Sequence, residues 1–296
     1  GMCPLTERTR GRVKLPVGVH QFLHAHRWGV VQNARPISGG SINRVLQLQS
    51  EYGPPALLKT HHSAPPDMFA REAEGLQVLM QAGGLRVPTV YAHGEDWLLM
   101  EYLSATERSA DYCTLLGEGL ARLHSTVNKR FGFINDNYIG STAQLNPWTK
   151  DGHRFFADSR LRFQGRLARE SGLLSAADYR ILERVIERLP DLIPEQPASL
   201  IHGDLWSGNV IVGPQAEPVL VDPAAHFGWA EAELAMTILF GRFERAAYHA
   251  YEQVRALAPG YMQRAAIYNL YHLLNHLNLF GIGYLGRVQA VLKRYS

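Results

Sequence analysis

The N-terminal part of the chain alternates apolar and polar positions with a period of two, which is typical of β-strands. Leu46 and Leu48 alternate with polar neighbours in a candidate strand at residues 44–49, and an earlier candidate strand ends at Ile37. Residues 55–59, 87–91 and 97–103 have the composition of three further strands. Residues 68–81 instead carry apolar side chains at helical spacing. The pattern predicts a sheet with one main helix.

The remainder of the chain is patterned as helices. Three apolar stripes recur at helical spacing: Leu116, Leu120, Leu123 and Val127; Tyr179, Leu182, Ile186 and Leu189; and Ile267, Leu270, Leu274 and Leu277. Ser175 and Asp178 resemble a capping box before the second stripe, and Gly281 ends the third. Strands with one helix, followed by helices, predict an α+β fold of two lobes, with a boundary between residues 15–103 and residues 104–296.

Length and composition agree with two lobes, because 296 residues, 46% of them hydrophobic, can bury a substantial interior. No apolar run approaches the ~20 residues that cross a bilayer, and there is no leader pattern once Gly1 is set aside as a tag remnant. Cys3 and Cys113 give no disulfide framework, so a cytoplasmic location is expected. The net charge of +3 is small and only residues 8–14 form a basic cluster, so we expect neither a nucleic-acid nor a membrane partner.

The strongest chemical signal is the stretch IHGDLWSGN at residues 201–209, followed by PVLVD at residues 218–222. It places Asp204 five residues before Asn209, and it places Asp222 after a predicted hairpin of two short strands. A phosphoryl transferase needs these groups in this order, as a catalytic base and two magnesium ligands near the terminal phosphate of a nucleotide. Each residue alone would more often cap or open a turn. Together they favour the interpretation as base and metal ligands.

Some polar or glycine residues receive only structural roles. Gly208 is expected to adopt a backbone conformation closed to other residues, so that the flanking side chains turn toward one point. Glu231 and Glu233 suit a helix N-terminus, and we assign them no chemistry. His272 and His276 are one helical turn apart but lack the third ligand of a zinc site, so they are expected to be satisfied or exposed histidines.

The N-terminal part offers partners for the predicted site. A turn that could close over phosphates, or be only a hairpin turn, contains Gly39, Gly40 and Ser41. Lys59 ends an apolar strand, where a phosphate-binding lysine is expected. Glu72 interrupts the apolar stripe of the predicted helix. Because a carboxylate on a buried face is costly unless it is paired, we prefer Glu72 to Glu74 as the partner of Lys59.

A hinge between the lobes is predicted at the end of the last strand candidate. The residues there are Met100, Glu101, Tyr102 and Leu103. Extended backbone at this place could hydrogen-bond an adenine edge, although the same residues could form the last buried turn of the strand. The assignment depends on their order in the chain.

Six segments resemble the fructosamine/ketosamine kinase family. They are GGSIN at 39–43, MFARE at 68–72, FGF at 131–133, QLNPW at 144–148, HGDLWSGN at 202–209 and DPA at 222–224. The similarity runs from about residue 37 to residue 284. The His-Gly-Asp and Asp-Pro pieces are shared with the related aminoglycoside and choline phosphotransferases. The sequences LWSGN and NPW together point to the ketosamine branch.

The resemblance implies a protein-kinase-like fold and ATP-dependent phosphorylation of the 3-hydroxyl of a sugar-derived ketoamine, as in protein deglycation. Lys59 would then hold the nucleotide phosphates and Glu72 would orient Lys59. Asp204 would be the base, and Asn209 and Asp222 would hold Mg²⁺. Asp222 is followed by Pro-Ala in place of Phe-Gly, which argues against control through an activation loop. The glycine turn lacks the cysteine of some eukaryotic relatives, so a redox switch there is not expected.

The acceptor pocket is hypothesised to contain Trp206, with Trp148, Asn146 and His226 as further candidates, because aromatic faces and amides suit a sugar. Trp148 could equally be a core residue. Two alternatives stay open: a phosphotransferase for an aminoglycoside, choline or homoserine, and a nucleotide-binding module without catalysis. The sequence also leaves open whether the acceptor is a ribulose or fructose adduct, whether its amine is an amino acid, a peptide or a protein lysine, and which oligomeric state the protein has.

Overall fold

A five-stranded antiparallel sheet forms the N-terminal part of the protein. The computed structural model describes residues 13–37, 42–103 and 107–296. In sheet order the strands are β1 (Val31–Pro36), β2 (Arg44–Ser50), β3 (Ala56–Thr60), β5 (Trp97–Glu101) and β4 (Val90–His93). The alternating pattern at residues 44–49 therefore forms a strand. The candidate at 87–91 becomes one only from Val90, since Pro88 has no N–H for the ladder.

Two helices cover the two faces of this sheet. Helix α1 (Val17–Ala25), which the sequence pattern did not predict, buries Leu23 against Leu58 and its neighbours on one face. Helix α2 (Met68–Ala82) buries Leu76 in a cluster with Leu98 on the other face. Because both faces are covered, the first four residues of β5 are buried, which explains its uninterrupted apolar sequence.

The C-terminal part is mainly helical. Its helices are α3 (Tyr112–His124), α4 (Gly152–Phe156), a π-helix (Ala157–Arg162), α5 (Phe163–Glu170), α6 (Ala176–Glu187), α7 (Leu189–Leu192), α8 (Ala230–Met236), α9 (Arg245–Val254), α10 (Tyr261–Phe280) and α11 (Leu285–Tyr295). The three predicted stripes lie on α3, on α6 with α7, and on α10. The prediction for Val127 was wrong: α3 ends at His124, where Ser125 Oγ donates to Ala121 O (2.8 Å), and Val127 is exposed in a short strand.

Three small sheets connect these helices. Strands β6 (Val127–Asn128), β9 (Ala198–Ile201) and β12 (His226–Gly228) pair in the order β12-β9-β6; β7 (Asn137–Ile139) pairs with β8 (Thr142–Gln144), and β10 (Val210–Val212) with β11 (Pro218–Leu220). The predicted hairpin after Asn209 is thereby confirmed, with its second strand one residue earlier than predicted. Residues 202–209 lie between β9 and this hairpin, and Asp222 follows it.

The predicted α+β architecture, an antiparallel sheet with one main helix and a helical remainder, is confirmed. A buried cluster joins the two parts, since Leu76 and Leu98 share it with Leu120, Leu205 and Leu220. The boundary between residues 103 and 104 stays a prediction, because residues 104–106 lie outside the described ranges. Among the described helices, none combines the length and the apolar character needed to cross a membrane.

The predicted cap of α6 gives a direct stability test. Ser175 Oγ accepts a hydrogen bond from Asp178 N–H (3.0 Å) at the start of the helix. Ser175→Ala removes this acceptor, so we expect the free energy of unfolding to fall by about 1 kcal/mol and Tm by about 2–4 °C. Ser171→Ala is the matched control, because Ser171 is exposed and its hydroxyl makes no hydrogen bond to a described residue. Equal Tm values for the two variants would contradict the capping role.

Candidate active site

A cleft of about 620 Å³ lies between the sheet and the segment after β9. Most of the residues predicted for the site line it: Lys59, Glu72, Met100, Glu101, Tyr102, Leu103, Asp204, Trp206, Asn209 and Asp222. Gly39, Gly40 and Ser41 lie outside the described residues. Asn146, Trp148 and His226 are not part of the cleft lining. The fold thus collects residues that are more than 160 positions apart in the chain, such as Lys59 and Asp222.

The centre of the cleft is an ion cluster made by three elements. Lys59 Nζ on β3 donates to Glu72 Oε1 on α2 (2.6 Å) and also contacts Asp222 Oδ1 after β11. Glu72, rather than Glu74, is therefore the partner of Lys59. The Glu74 carboxylate accepts instead from Arg71 Nη1 (3.1 Å) and from an asparagine of the other lobe.

The protonation state of each group in this cluster depends on the charges of the other two groups and on burial. Burial lowers the pKa of Lys59. The charges of Asp222 and Glu72 together raise it by more than burial lowers it, so the net shift is upward. The Lys59 ammonium holds the pKa of the half-exposed Asp222 carboxyl below its usual range, against a smaller raising effect of partial desolvation. Burial raises the pKa of Glu72. Asp222 is therefore the carboxylate held more firmly in its anionic form.

The backbone beside Asp204 and Asp222 is unusual. Asp222 has a φ of 52°, in the left-handed region that non-glycine residues seldom adopt, as is common at functional sites. Gly203 has a φ of 92°, and a Cβ there would collide with the Ala224 carbonyl oxygen. The expectation for Gly208 was wrong, because its φ is not in this region. Its missing side chain instead leaves room for the Trp206 ring, which a Cβ would overlap.

Asp204 is half-buried and lies beside other acids. Burial, then Asp222 and then Glu233, raise the pKa of the Asp204 carboxyl to about 7. No described residue donates a hydrogen bond to this carboxylate, whereas its backbone oxygen accepts from Asn209 Nδ2 (2.8 Å). That bond turns the amide of Asn209 so that Oδ1 remains available. A carboxylate with raised proton affinity and free lone pairs is suited to accept a proton near neutral pH.

A buried acid that the sequence analysis left without chemistry supports this loop. Glu233 on α8 accepts hydrogen bonds from the backbone N–H groups of His202 (2.9 Å) and Gly203 (2.8 Å), and from His124 Nε2 (2.9 Å). His202 in turn donates from Nε2 to Val221 O (2.7 Å). Glu233 therefore holds the residues just before Asp204. The apolar surroundings of Glu233 in the sequence were the available signal, since a buried carboxylate needs partners.

The predicted hinge has few free backbone groups. Tyr102 N–H donates to Pro55 O (3.1 Å) and Glu101 N–H donates to Thr89 O (2.8 Å). No described residue accepts from Leu103 N–H. The Glu101 carboxylate accepts from Arg86 Nη2 (3.0 Å). Leu103 N–H is accordingly the donor at the hinge that a bound ligand could use.

Four acceptor-pocket candidates separate into one cleft residue and three others. Trp206 lines the cleft and is 39% exposed. Trp148 lies against Phe227, with ring centroids 6.2 Å apart. Asn146 and His226 are buried, at 2% and 5% exposure, and their polar atoms are hydrogen-bonded inside the protein. Sequence alone could not separate an amide that faces a ligand from one that serves an internal network.

The donor set fits Mg²⁺ better than a metal held entirely by protein. Within the described ranges there is no cluster of three or more His, Cys, Asp or Glu residues that could hold a metal ion. Mg²⁺ needs only one or two protein carboxylates when phosphate oxygens and water complete its shell. The anionic Asp222 and the free Oδ1 of Asn209 are hard oxygen donors of this kind.

Comparison with known proteins agrees with the geometry of this site. The sequence profile of the Fructosamine kinase family matches residues 19–296. A probable ketoamine kinase of Synechocystis sp. is 39% identical over 89% of this chain and 90% of its own length. A chloroplastic protein-ribulosamine 3-kinase of Arabidopsis thaliana is 36% identical over 88% and 81%.

Structural comparison gives the same relationship. The crystal structure of a protein inferred to be a fructosamine-3-kinase, from Thermobifida fusca, superimposes with a TM-score of 0.87 and 29% identity, covering 95% of this chain and 98% of that chain. The match extends over both the sheet and the helical part, as the sequence motifs predicted. The chain belongs to the fructosamine kinase family.

Proposed function

We propose that the protein is an ATP-dependent kinase that phosphorylates the 3-hydroxyl of ketosamines, which are fructose or ribulose adducts of amines or protein lysines. One observation carries this proposal: Lys59, Glu72, Asp222, Asp204 and Asn209 converge in one cleft of a fructosamine kinase family member. The Arabidopsis relative is named as a kinase of protein-bound ribulosamine, which supports the acceptor class. A role in removing sugar adducts from proteins follows from that acceptor.

Asp204 acts as the base in this proposal. Its carboxylate accepts the proton of the acceptor hydroxyl as that oxygen attacks the transferring phosphorus. The raised pKa, about 7, gives Asp204 more basicity than an ordinary carboxylate while leaving a substantial ionised fraction at neutral pH. Glu233 holds the backbone of His202 and Gly203, so the base keeps its place in the cleft.

Lys59, Asn209 and Asp222 handle the negative charge of the nucleotide. The Lys59 ammonium, oriented by Glu72, contacts the phosphates, and Asn209 and Asp222 hold Mg²⁺. When bound, Mg²⁺ supplies positive charge to the phosphate oxygens during transfer. Leu103 N–H, to which no described residue offers an acceptor, binds the adenine edge. A location in the cytoplasm stays a prediction.

Trp206 is the acceptor-pocket residue that we propose. It follows Asp204 by two positions, lines the cleft and offers an exposed aromatic face to a sugar ring or chain. Trp148, Asn146 and His226 lie away from the cleft lining, so we give them no contact with the acceptor.

A transfer assay tests the function. Purified protein is incubated with Mg²⁺ and ATP labelled at the terminal phosphate, together with a ribulosyl-lysine peptide, a fructosyl-lysine peptide or the unmodified peptide. Choline, homoserine and an aminoglycoside serve as rival acceptors. We expect phosphate only on the ketosamine peptides, at the 3-position by NMR. Transfer to a rival acceptor alone, or nucleotide binding with no transfer, would overturn the proposal.

Asp204→Asn tests the base. The amide keeps the shape of the side chain but cannot take the proton, so we expect kcat to fall by about 10²–10⁴-fold. KM for ATP should change by less than about twofold, because no phosphate contact is removed. Steady-state kinetics with varied ATP at saturating peptide measure both. A variant that loses ATP affinity and keeps kcat would show that Asp204 has another role.

The same substitution, Asp204→Asn, should lower kcat but raise the stability of the fold. The folded pKa of Asp204, about 7, lies above the ordinary value of 3.8, so its stabilising protonation is complete at low pH and lost as pH rises through 7. Since a tenfold difference in proton affinity is ~1.4 kcal/mol, Asp204→Asn should be more stable than the wild type at pH 8 by roughly 1–3 kcal/mol.

Calorimetric Tm values between pH 5 and pH 8 should therefore show a gap between Asp204→Asn and the wild type that widens with pH. Asp222→Asn is the control of opposite sign. The pKa of Asp222 is lowered by Lys59, so its ionised form stabilises the fold at neutral pH and the amide variant should have a lower Tm at pH 8. A gap that narrows as pH rises would contradict the raised pKa of Asp204.

Trp206→Ala tests the acceptor pocket. Loss of the aromatic face should raise KM for the ketosamine peptide by about 5–10-fold, since a stacking contact is worth ~1 kcal/mol or slightly more. KM for ATP should stay unchanged. Trp148→Ala separates the two tryptophan candidates, and we expect no effect of it on KM for the peptide. The reverse result, an effect of Trp148 alone, would place the acceptor elsewhere.

A further inference from the structure

Arg160 is a buried cation that no carboxylate among the described residues contacts directly. It is 2% exposed and lies on the π-helix (Ala157–Arg162), an irregular element that is common near functional sites. Among the described residues it forms no ion pair with any acid. Burial lowers the pKa of Arg160 to about 10 against smaller raising effects of Tyr271 and Asp136, so the guanidinium remains charged at neutral pH. A buried charge of this kind is costly unless its N–H groups are satisfied.

The guanidinium is satisfied by neutral oxygens and aromatic rings. Nη1 donates to Leu145 O (2.5 Å) and to the carbonyl of the preceding residue (3.0 Å). Nη2 donates to Asn146 Oδ1 (2.7 Å). The charged carbon lies 4.6 Å from the ring centroid of Phe155 and 5.5 Å from that of Tyr271. The charge therefore orients Asn146, whose amide N–H groups must then point the other way.

Asn146 passes this orientation to two more amides. Its Nδ2 donates to Asn137 Oδ1 (3.0 Å), and Asn137 Nδ2 donates to Ala225 O (2.8 Å). Gln144 Nε2 donates to Asn137 Oδ1 (2.9 Å) and to Ala224 O (3.1 Å). In this series of side-chain amides, each hydrogen-bonding neighbour fixes which end of the amide donates and which end accepts. This series of amides ends at the backbone carbonyls of Ala224 and Ala225.

These carbonyls belong to the segment that follows Asp222. Ala224 N–H donates to His202 O (2.8 Å), which joins the segment to the loop of the base. On its other side, a Cβ at Gly75 of α2 would lie 3.5 Å from Ala225 and 3.6 Å from Pro223, so the helix packs closely against it. The amide network closes the remaining side. Residues 223–225 are thus held where a protein kinase would begin a mobile activation segment.

We propose that Arg160 is a positioning residue: through Asn146, Asn137 and Gln144 it fixes the backbone after Asp222, and so fixes the orientation in which that carboxylate meets Mg²⁺. The proposal rests on the proposed function only as far as the binding of nucleotide with Mg²⁺. It assigns Asn146 a role away from the acceptor. Arg160 is not among the residues that line the cleft, so it acts only through the network.

The variants Arg160→Gln and Arg160→Lys test this role. Glutamine removes the charge and the paired donors, whereas lysine keeps the charge but not the fork that binds Leu145 and Asn146 together. Arg162→Gln is the matched control, since Arg162 lies on the same π-helix and pairs with Glu183 and Asp158 at the surface. Calorimetric titration with ADP, at Mg²⁺ concentrations from zero to saturation, reports metal and nucleotide binding without any acceptor.

Because residues that orient a metal ligand typically change metal affinity or activity by 10–100-fold, we expect Arg160→Gln to raise the Mg²⁺ concentration that half-enhances ADP binding by about tenfold. ADP affinity without Mg²⁺ should stay within about twofold, and kcat for the ketosamine peptide should fall in parallel with the Mg²⁺ effect. Arg160→Lys should lie between the wild type and Arg160→Gln. Arg162→Gln should behave as the wild type.

A wild-type Mg²⁺ dependence in Arg160→Gln, with only a lower Tm or a smaller active fraction, would overturn the proposal and leave Arg160 a purely structural residue. If Arg160→Gln does not fold, Tyr271→Phe provides the test. It deletes one hydrogen bond to Gln144 Oε1 (2.8 Å) and should shift the Mg²⁺ dependence in the same direction by a smaller factor. If the ketosamine assay fails and the titrations behave as expected, the acceptor assignment is wrong and the role of Arg160 stands.

Discussion

The contact of one ammonium with two carboxylates is the constraint on which the rest of the protein depends. Lys59 comes from the sheet, Glu72 from α2 and Asp222 from the turn after β11, so a single ion cluster joins three elements. The buried Lys59 ammonium needs a negative partner, and the largely buried Glu72 carboxylate needs a cation. Sheet, helix and hairpin must therefore assemble together. Their assembly also creates the cleft between them.

A second buried acid organises the other wall of that cleft. Glu233 accepts from two successive backbone N–H groups before Asp204, and His124 completes its partners. Asp204 differs from Glu233, because no described residue hydrogen-bonds its carboxylate. Partial burial and neighbouring acids raise its pKa. One acid is stabilised in its charged form and holds the loop. The other is left with the proton affinity that a base requires.

The sequence correctly predicted the features that depend on the periodicity of apolar residues, on the order of motifs along the chain and on the pairing of charges. The alternation in β2, the cap at Ser175 and the preference for Glu72 over Glu74 all follow from local rules, and the structure contains them. It failed where a residue's role depends on what lies across the fold. Gly208 is needed for the space that it leaves to Trp206, and Glu233 gains its partners only when α8 reaches β9, which no local pattern reveals.

The network between Arg160 and Ala225 has a property that its chemistry makes unavoidable. Its links are guanidinium, amide and carbonyl groups, and none of them gains or loses a proton between about pH 5 and pH 9. Mild acidification would therefore protonate Asp204, whose pKa is raised, while leaving unchanged the hydrogen bonds that hold the segment after Asp222. Return to neutral pH would then restore the base without any rearrangement of this network.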